Sequence, residues 1–109
     1  MTTRMKHTDV FSSIRNVAMK LKPENGKIIL FGSQARGDAH ENSDWDILVL
    51  LDKDKIEVID HDKFTYPFWE LGREINAMIH PIVYTSKEWS TLSHTSFRDN
   101  VELYGIVLC

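Results

Sequence analysis

The sequence holds a single cysteine, Cys109, so no internal disulfide can form and nothing in the chain calls for an oxidising compartment. It has no apolar run near the roughly 20 residues that a membrane-crossing helix needs; its longest such stretches are Lys27 to Phe31 and Ile47 to Leu51. The opening Met1-Thr2-Thr3-Arg4-Met5-Lys6-His7 lacks the apolar segment of a secretory signal. These absences together point to a soluble, cytoplasmic protein with no membrane partner. Cationic excess is missing too: 13 Lys and Arg stand against 16 Asp and Glu, a formal net charge of -3. Such a balance disfavours non-specific binding along a long nucleic acid. No internal repeat, low-complexity tract or Gly/Ser linker marks a boundary, and 109 residues supply one hydrophobic core rather than two. Residues 8–109 are expected to form one domain, with 1–7 a flexible N-terminus.

The remaining composition, 42% hydrophobic and 27% charged, is that of a chain able to pack a core. Val10, Phe11, Ile14, Val17, Ala18 and Leu21 recur at helical spacing, which predicts a helix over 8–21 with Thr8 as N-cap. Lys27 to Phe31, bounded by Gly26 and Gly32, is a short run suited to a strand buried on both faces. Trp45 to Leu51 predicts a second such strand. Lys53 to Lys63 is mostly charged and suggests a turn and connection, after which Phe64, Phe68, Leu71 and Ile75 predict an amphipathic helix entered near Pro67. Ala77 to Tyr84 predicts a third strand, with Pro81 indicating an edge position or a bulge. Ser86 to Trp89 suggests a helical turn, and Phe97, Val101 and Tyr104 a last helix. The pattern is that of one α/β unit.

Two features break this otherwise ordinary pattern. The first strand ends in Gly32-Ser33 and passes into Gln34-Ala35-Arg36, a turn at a helix start where backbone N–H groups favour phosphate oxygens. Gly32 allows close approach, the Ser33 hydroxyl can donate to the same phosphate, and Gly37 lets the chain turn away. Arg36 is either a charge-assisted phosphate contact or a solvated turn residue. The second strand starts with Asp44 and Asp46, two carboxylates that period-two geometry places on one face. Like charges this close are unfavourable unless a cation lies between them, so the pair suggests a divalent metal site. An Asp-x-Asp is often only solubilising, but here it sits among apolar residues and follows the Gly-Ser turn. Phosphate cradle and metal site then meet at neighbouring strand ends, an arrangement suited to nucleotidyl transfer assisted by Mg²⁺. Phe64, Tyr66, Phe68 and Trp69 could stack on a nucleobase, although such spacing more commonly serves a core.

Gly32-Ser33-Gln34-Ala35-Arg36-Gly37 followed by Ser43-Asp44-Trp45-Asp46-Ile47-Leu48-Val49 resembles the G-S-x-A-R-G and S-D-x-D signature of the DNA polymerase β-like nucleotidyltransferases. Within that superfamily the chain is similar to the minimal nucleotidyltransferases, often encoded beside an all-helical HEPN partner. The later stretches Pro81 to Trp89 and Asn100 to Ile106 share the resemblance. It implies an α/β (α+β) nucleotidyltransferase fold, a small mixed sheet flanked by helices. It further implies that Gly32 and Ser33 bind the NTP phosphates while Asp44 and Asp46 hold Mg²⁺. The expected activity is transfer of a nucleoside monophosphate, AMP from ATP, to a hydroxyl acceptor, with a HEPN-type toxin as acceptor and this chain as its antitoxin. A chain this short shows no obvious second domain to hold an acceptor, so a protein partner or a second copy is expected to supply it. The family's active members carry a third carboxylate on the next core strand, where this sequence has His80 and Ile82. His80 is a candidate third position, and Glu74 another if the strand begins early. The alternative is a module of the same fold that neutralises its partner by contact alone.

Overall fold

The computed structural model describes residues 6–92 and 95–109. Along the chain the elements are α1 (His7–Leu21), β1 (Lys27–Phe31), α2 (Ser33–Arg36), β2 (Trp45–Leu51), α3 (Val58–Ile75), β3 (Ile79–Thr85), α4 (Ser86–Thr91), α5 (Ser96–Tyr104) and β4 (Ile106–Val107). The sheet order is β3-β2-β1-β4. Strand β1 pairs antiparallel with β2 and β4, while β2 and β3 run parallel, with α3 as the crossover between them. The mixed sheet flanked by helices is therefore present. It places Phe31 opposite Asp46 on one side and His80 opposite Asp46 on the other.

Strand alternation divides the sheet into two faces. Ile28 and Leu30 of β1, with Trp45, Ile47, Val49 and Leu51 of β2, pack against Val10, Ile14 and Ala18 of α1 and Phe64 and Phe68 of α3. On the reverse, Ile29, Leu48 and Leu50 pack with Trp89 of α4 and Val101 of α5, and Phe31, Ile82, Tyr84 and Phe97 lie against them. The Trp89 ring meets Phe97 edge-on at 5.4 Å, and Phe97 meets Phe31 at 5.4 Å. The Trp89 indole N–H donates to Glu102 Oε1 at 3.0 Å, tying α4 to α5.

Several expectations from the sequence need correction. Helix α1 begins at His7 with Lys6 as its N-cap and no side-chain cap, so Thr8 lies inside the first turn. Of the stretch expected to be flexible, residues 6 and 7 therefore belong to the helix start, and residues 1–5 lie outside those described. Helix α3 begins at Val58, not near Pro67. A reciprocal cap between Glu57 and Asp60 starts it, and the Lys53 ammonium reinforces the cap at 2.7 Å from Asp60 Oδ2. Pro67 sits inside the helix, where it removes the amide that would bond the Lys63 carbonyl. Phe64 and Phe68 are buried core residues; Tyr66 and Trp69 are exposed on α3, in the layer opposite Asp46.

Strand β3 lies at the sheet edge and keeps unbroken register through Ile47 and Pro81. Because the Trp45 N–H donates to the Met78 carbonyl, the even-numbered residues of β3 bond to β2. Pro81 thus directs its missing donor to the open edge, where the lack is harmless.

Candidate functional site

The Gly-Ser turn and the acid pair meet because β1 ends where β2 begins. Gly32 has φ 78° and ψ -161°, a conformation essentially restricted to glycine. A Cβ at Gly32 would fall on the Oδ2 atom of Asp46, so the missing side chain is what lets turn and carboxylate touch. Ser33 then opens α2, a single helical turn closed by Gly37 in the left-handed conformation at φ 86°.

Asp44 stands just before β2, and Asp46 on it, in the phase that points to the second face. Two hydrogen bonds fix the loop that delivers them. The His40 N–H donates to Ser43 Oγ at 2.9 Å, and the buried Gln34 side chain donates from Nε2 to the Ser43 carbonyl at 3.1 Å. The second bond ties the helix bearing Ser33 directly to the residue preceding Asp44. Sequence reasoning missed this role for Gln34: it occupies the unspecified position of the motif, and no periodicity marks it.

His80 lies across from Asp46 on β3, with Nε2 3.4 Å from Asp44 Oδ2, both side chains about half exposed. Asp46 is partly buried, and burial pushes its carboxyl above the ordinary value of 3.8. His80 lowers it, Asp44 raises it and Arg36 lowers it. Arg36 is thus within electrostatic reach of the acid pair, although its nearest anion is Asp38, with Nε 3.4 Å from Oδ2.

Glu74 is exposed near the end of α3, in a groove with Val17, Pro67 and Glu70 on the side of the sheet opposite Asp46. The structure does not bring it to the acid pair, because a helical position three residues before Ala77 cannot share the alternation of β3. Among the described residues no three His, Cys, Asp or Glu side chains converge as a metal-ligand group. The site presents a pair of carboxylates, Asp46 against the Gly-Ser turn and Asp44 beside His80. That suits an ion completed by a substrate's own oxygens, since Mg²⁺ commonly takes one or two carboxylates together with phosphates and water.

The Methanocaldococcus jannaschii protein named "Putative protein adenylyltransferase MJ0141" is 35% identical over 92 residues, 84% of this chain and 87% of that protein. Among solved structures, one chain from a toxin-antitoxin crystal structure with AMP-PNP aligns with a TM-score of 0.56 at 24% identity, covering 87% of this chain and 72% of that one. Another, from a complex of tri-AMPylated Shewanella oneidensis HEPN toxin with MNT antitoxin, aligns at 0.55 and 18% identity, covering 95% and 72%. No described helix is long and apolar enough to cross a membrane. The nucleotidyltransferase domain family matches residues 12–107, a span that holds the Gly-Ser turn, both aspartates and all four strands, and the chain belongs to that family as a nucleotidyltransferase.

Proposed function

We propose that this chain transfers AMP from ATP to a hydroxyl group on a protein partner, a helical HEPN-type toxin that it restrains as an antitoxin. The observation that carries the reading is the contact between Gly32 and Asp46, which sets the phosphate turn against the acid pair with no side chain between them. The adenylyltransferase name of the relative supports AMP as the transferred group. The toxin-antitoxin complexes among the structural neighbours support the partner.

In this reading Gly32 admits the triphosphate to the backbone, the Ser33 hydroxyl donates to it, and Arg36 adds a charge-assisted contact. Asp44 and Asp46 would hold Mg²⁺, which would supply positive charge against the phosphate oxygens. The raised pKa of Asp46 fits this role, since a cation removes the penalty that burial and Asp44 impose. The acceptor oxygen attacks the α-phosphorus, the bond to the bridging oxygen breaks, and pyrophosphate leaves. His80 Nε2, beside Asp44 and across from Asp46, takes the hydroxyl proton in place of a third carboxylate.

The absence of a third acid among the described residues favours a second reading, a module that binds its partner and acts by contact alone. Incubating the chain and its co-purified partner with α-³²P-ATP and Mg²⁺ separates the two. Transfer predicts a labelled partner, and loss of label in Asp44→Asn and Asp46→Asn by at least about 100-fold, since even an outer partner of a metal is worth roughly 10–100-fold. An unlabelled partner that stays bound to both variants would establish contact alone.

A further inference from the structure

Asp44 and Asp46 form one pair but are held in different ways. Asp46 lies within β2, where register with Phe31 on one side and His80 on the other sets its backbone. Asp44 precedes the strand, and its side chain is 52% exposed, so neither ladder nor packing fixes it. The direction of its Cβ depends on φ and ψ alone, and hence on the two planar peptide units that flank its Cα. The unit after it is held by backbone: the Trp45 N–H donates to the Met78 carbonyl at 2.8 Å. The unit before it carries the Ser43 carbonyl, which accepts from Gln34 Nε2 at 3.1 Å. One clamp is thus indifferent to side chains, and the other is a single carboxamide.

Gln34 is 7% exposed and follows Ser33 directly in α2, so the turn read as the phosphate cradle and the approach to Asp44 share one anchor. The bonds between His40 and Ser43 close the loop on itself, whereas the Gln34 bond ties its end to a helix. The Oε1 of Gln34 is buried with no hydrogen-bond partner among the described residues. A buried acceptor without a donor opposes folding, and an apolar side chain of similar length would avoid that penalty. Stability alone therefore gives a poor account of a carboxamide at this position. The hold on the Ser43–Asp44 peptide gives a better one.

We propose that Gln34 is a positioning residue for the metal pair: by holding the Ser43–Asp44 peptide it directs the Asp44 carboxylate towards the ion that it would share with Asp46. The inference rests on the reading of Asp44 and Asp46 as that pair. It assigns Gln34 no contact with nucleotide, metal or acceptor.

The test is Gln34→Met in the full chain, which keeps the length of the side chain and removes the donor. The half-buried Ser43 leaves its carbonyl room to bond water, so the variant is expected to melt close to the parent. In ¹⁵N spectra without metal the Asp44 amide is expected to shift while those of Val49 and Leu50 stay in place. Mn²⁺, a paramagnetic substitute for Mg²⁺, is titrated in the presence of AMP-PNP and followed by water-proton relaxation, which needs no turnover. Its binding is expected to weaken about tenfold or more, as for other outer partners of a metal. If Gln34→Met does not fold, Gln34→Ala, which keeps the helical turn, takes its place; failure of both to fold would make Gln34 structural and overturn the proposal. A folded variant that binds Mn²⁺ as tightly as the parent overturns it, and so does weakened binding with the Asp44 amide unmoved. A parent that binds no Mn²⁺ with AMP-PNP would instead overturn the metal reading itself, and this inference with it.

Discussion

The two faces of the sheet are built from the same strands and do different things. The face under α1 and α3 is apolar from end to end: Ile28, Leu30, Ile47 and Val49 are fully buried, with Phe68 beneath them. The reverse face is apolar only under α4 and α5, and where β1 ends and β2 begins it turns polar at Asp46 and His80. Asp46 is the only residue of β2 that is not buried. A strand with period two can therefore carry a core on one side and charge on the other without giving up a single ladder bond. Both faces hold buried cores, and in the proposed reading the polar end of the second one carries the chemistry.

The largest effect expected from this division belongs to the apolar face. Phe68→Ala should destabilise the fold by about 3–5 kcal/mol, the range for emptying a buried phenylalanine site, read from urea unfolding. Labelling per folded molecule should stay near the parent value. A fall of about tenfold or more in labelling per folded molecule would instead show that the two faces are coupled, and the comparison would break.

A sharper contrast lies within the chemical region. Gly32 and Gly37 both have positive φ, 78° and 86°, but a Cβ at Gly37 meets nothing within 4 Å whereas one at Gly32 meets the Asp46 carboxylate. Gly37→Ala should lose only about 1–2 kcal/mol of stability through left-handed backbone strain and keep most activity. Gly32→Ala carries strain as well and displaces a carboxylate, so transfer should fall by about tenfold or more, since small misplacements of reacting groups have effects up to about 100-fold. Equal losses of labelling in the two variants would remove the Gly32–Asp46 contact from the argument.

The apolar face was the more legible of the two in the sequence. Strands β1 and β2 follow from runs that nothing else in the chain matches, and the Gly-Ser turn and Asp-x-Asp stand out because they interrupt such runs. What escaped has physical causes. The start of α3 looked like a charged connection because its cap is itself made of charged groups, Glu57, Asp60 and Lys53, and Pro67 resembled a beginning although it sits mid-helix. Strand β4 has two residues, too few for any period to register. Gln34 bonds across nine positions to Ser43, a link that local pattern does not encode. His80 was visible as the group standing where an acid was expected. Its pairing with Asp44, by contrast, depends on the parallel register of β3, which only the folded sheet supplies.

The smallest expected effect tests whether the polar end of the second face opposes folding. Burial raises the Asp46 carboxyl above 3.8, with Asp44 adding to the shift against His80 and Arg36. Below 3.8 the carboxyl is largely protonated in both folded and unfolded chains, so ionisation contributes nothing to the difference between them. As pH rises through the unfolded value and then the raised folded one, the unfolded chain releases its proton first, and the folded state loses stability until both are ionised. Asp46→Asn removes that loss. In the presence of a chelator the variant should melt slightly above the parent at neutral pH, and its advantage should fade as pH falls below the folded value towards 3.8. Adding Mg·ATP should reverse the order, because only the parent gains from a ligand held by the carboxylate. A variant no more stable than the parent at neutral pH would mean that the carboxylate is already well solvated, and that the second face differs from the first in chemistry but not in stability.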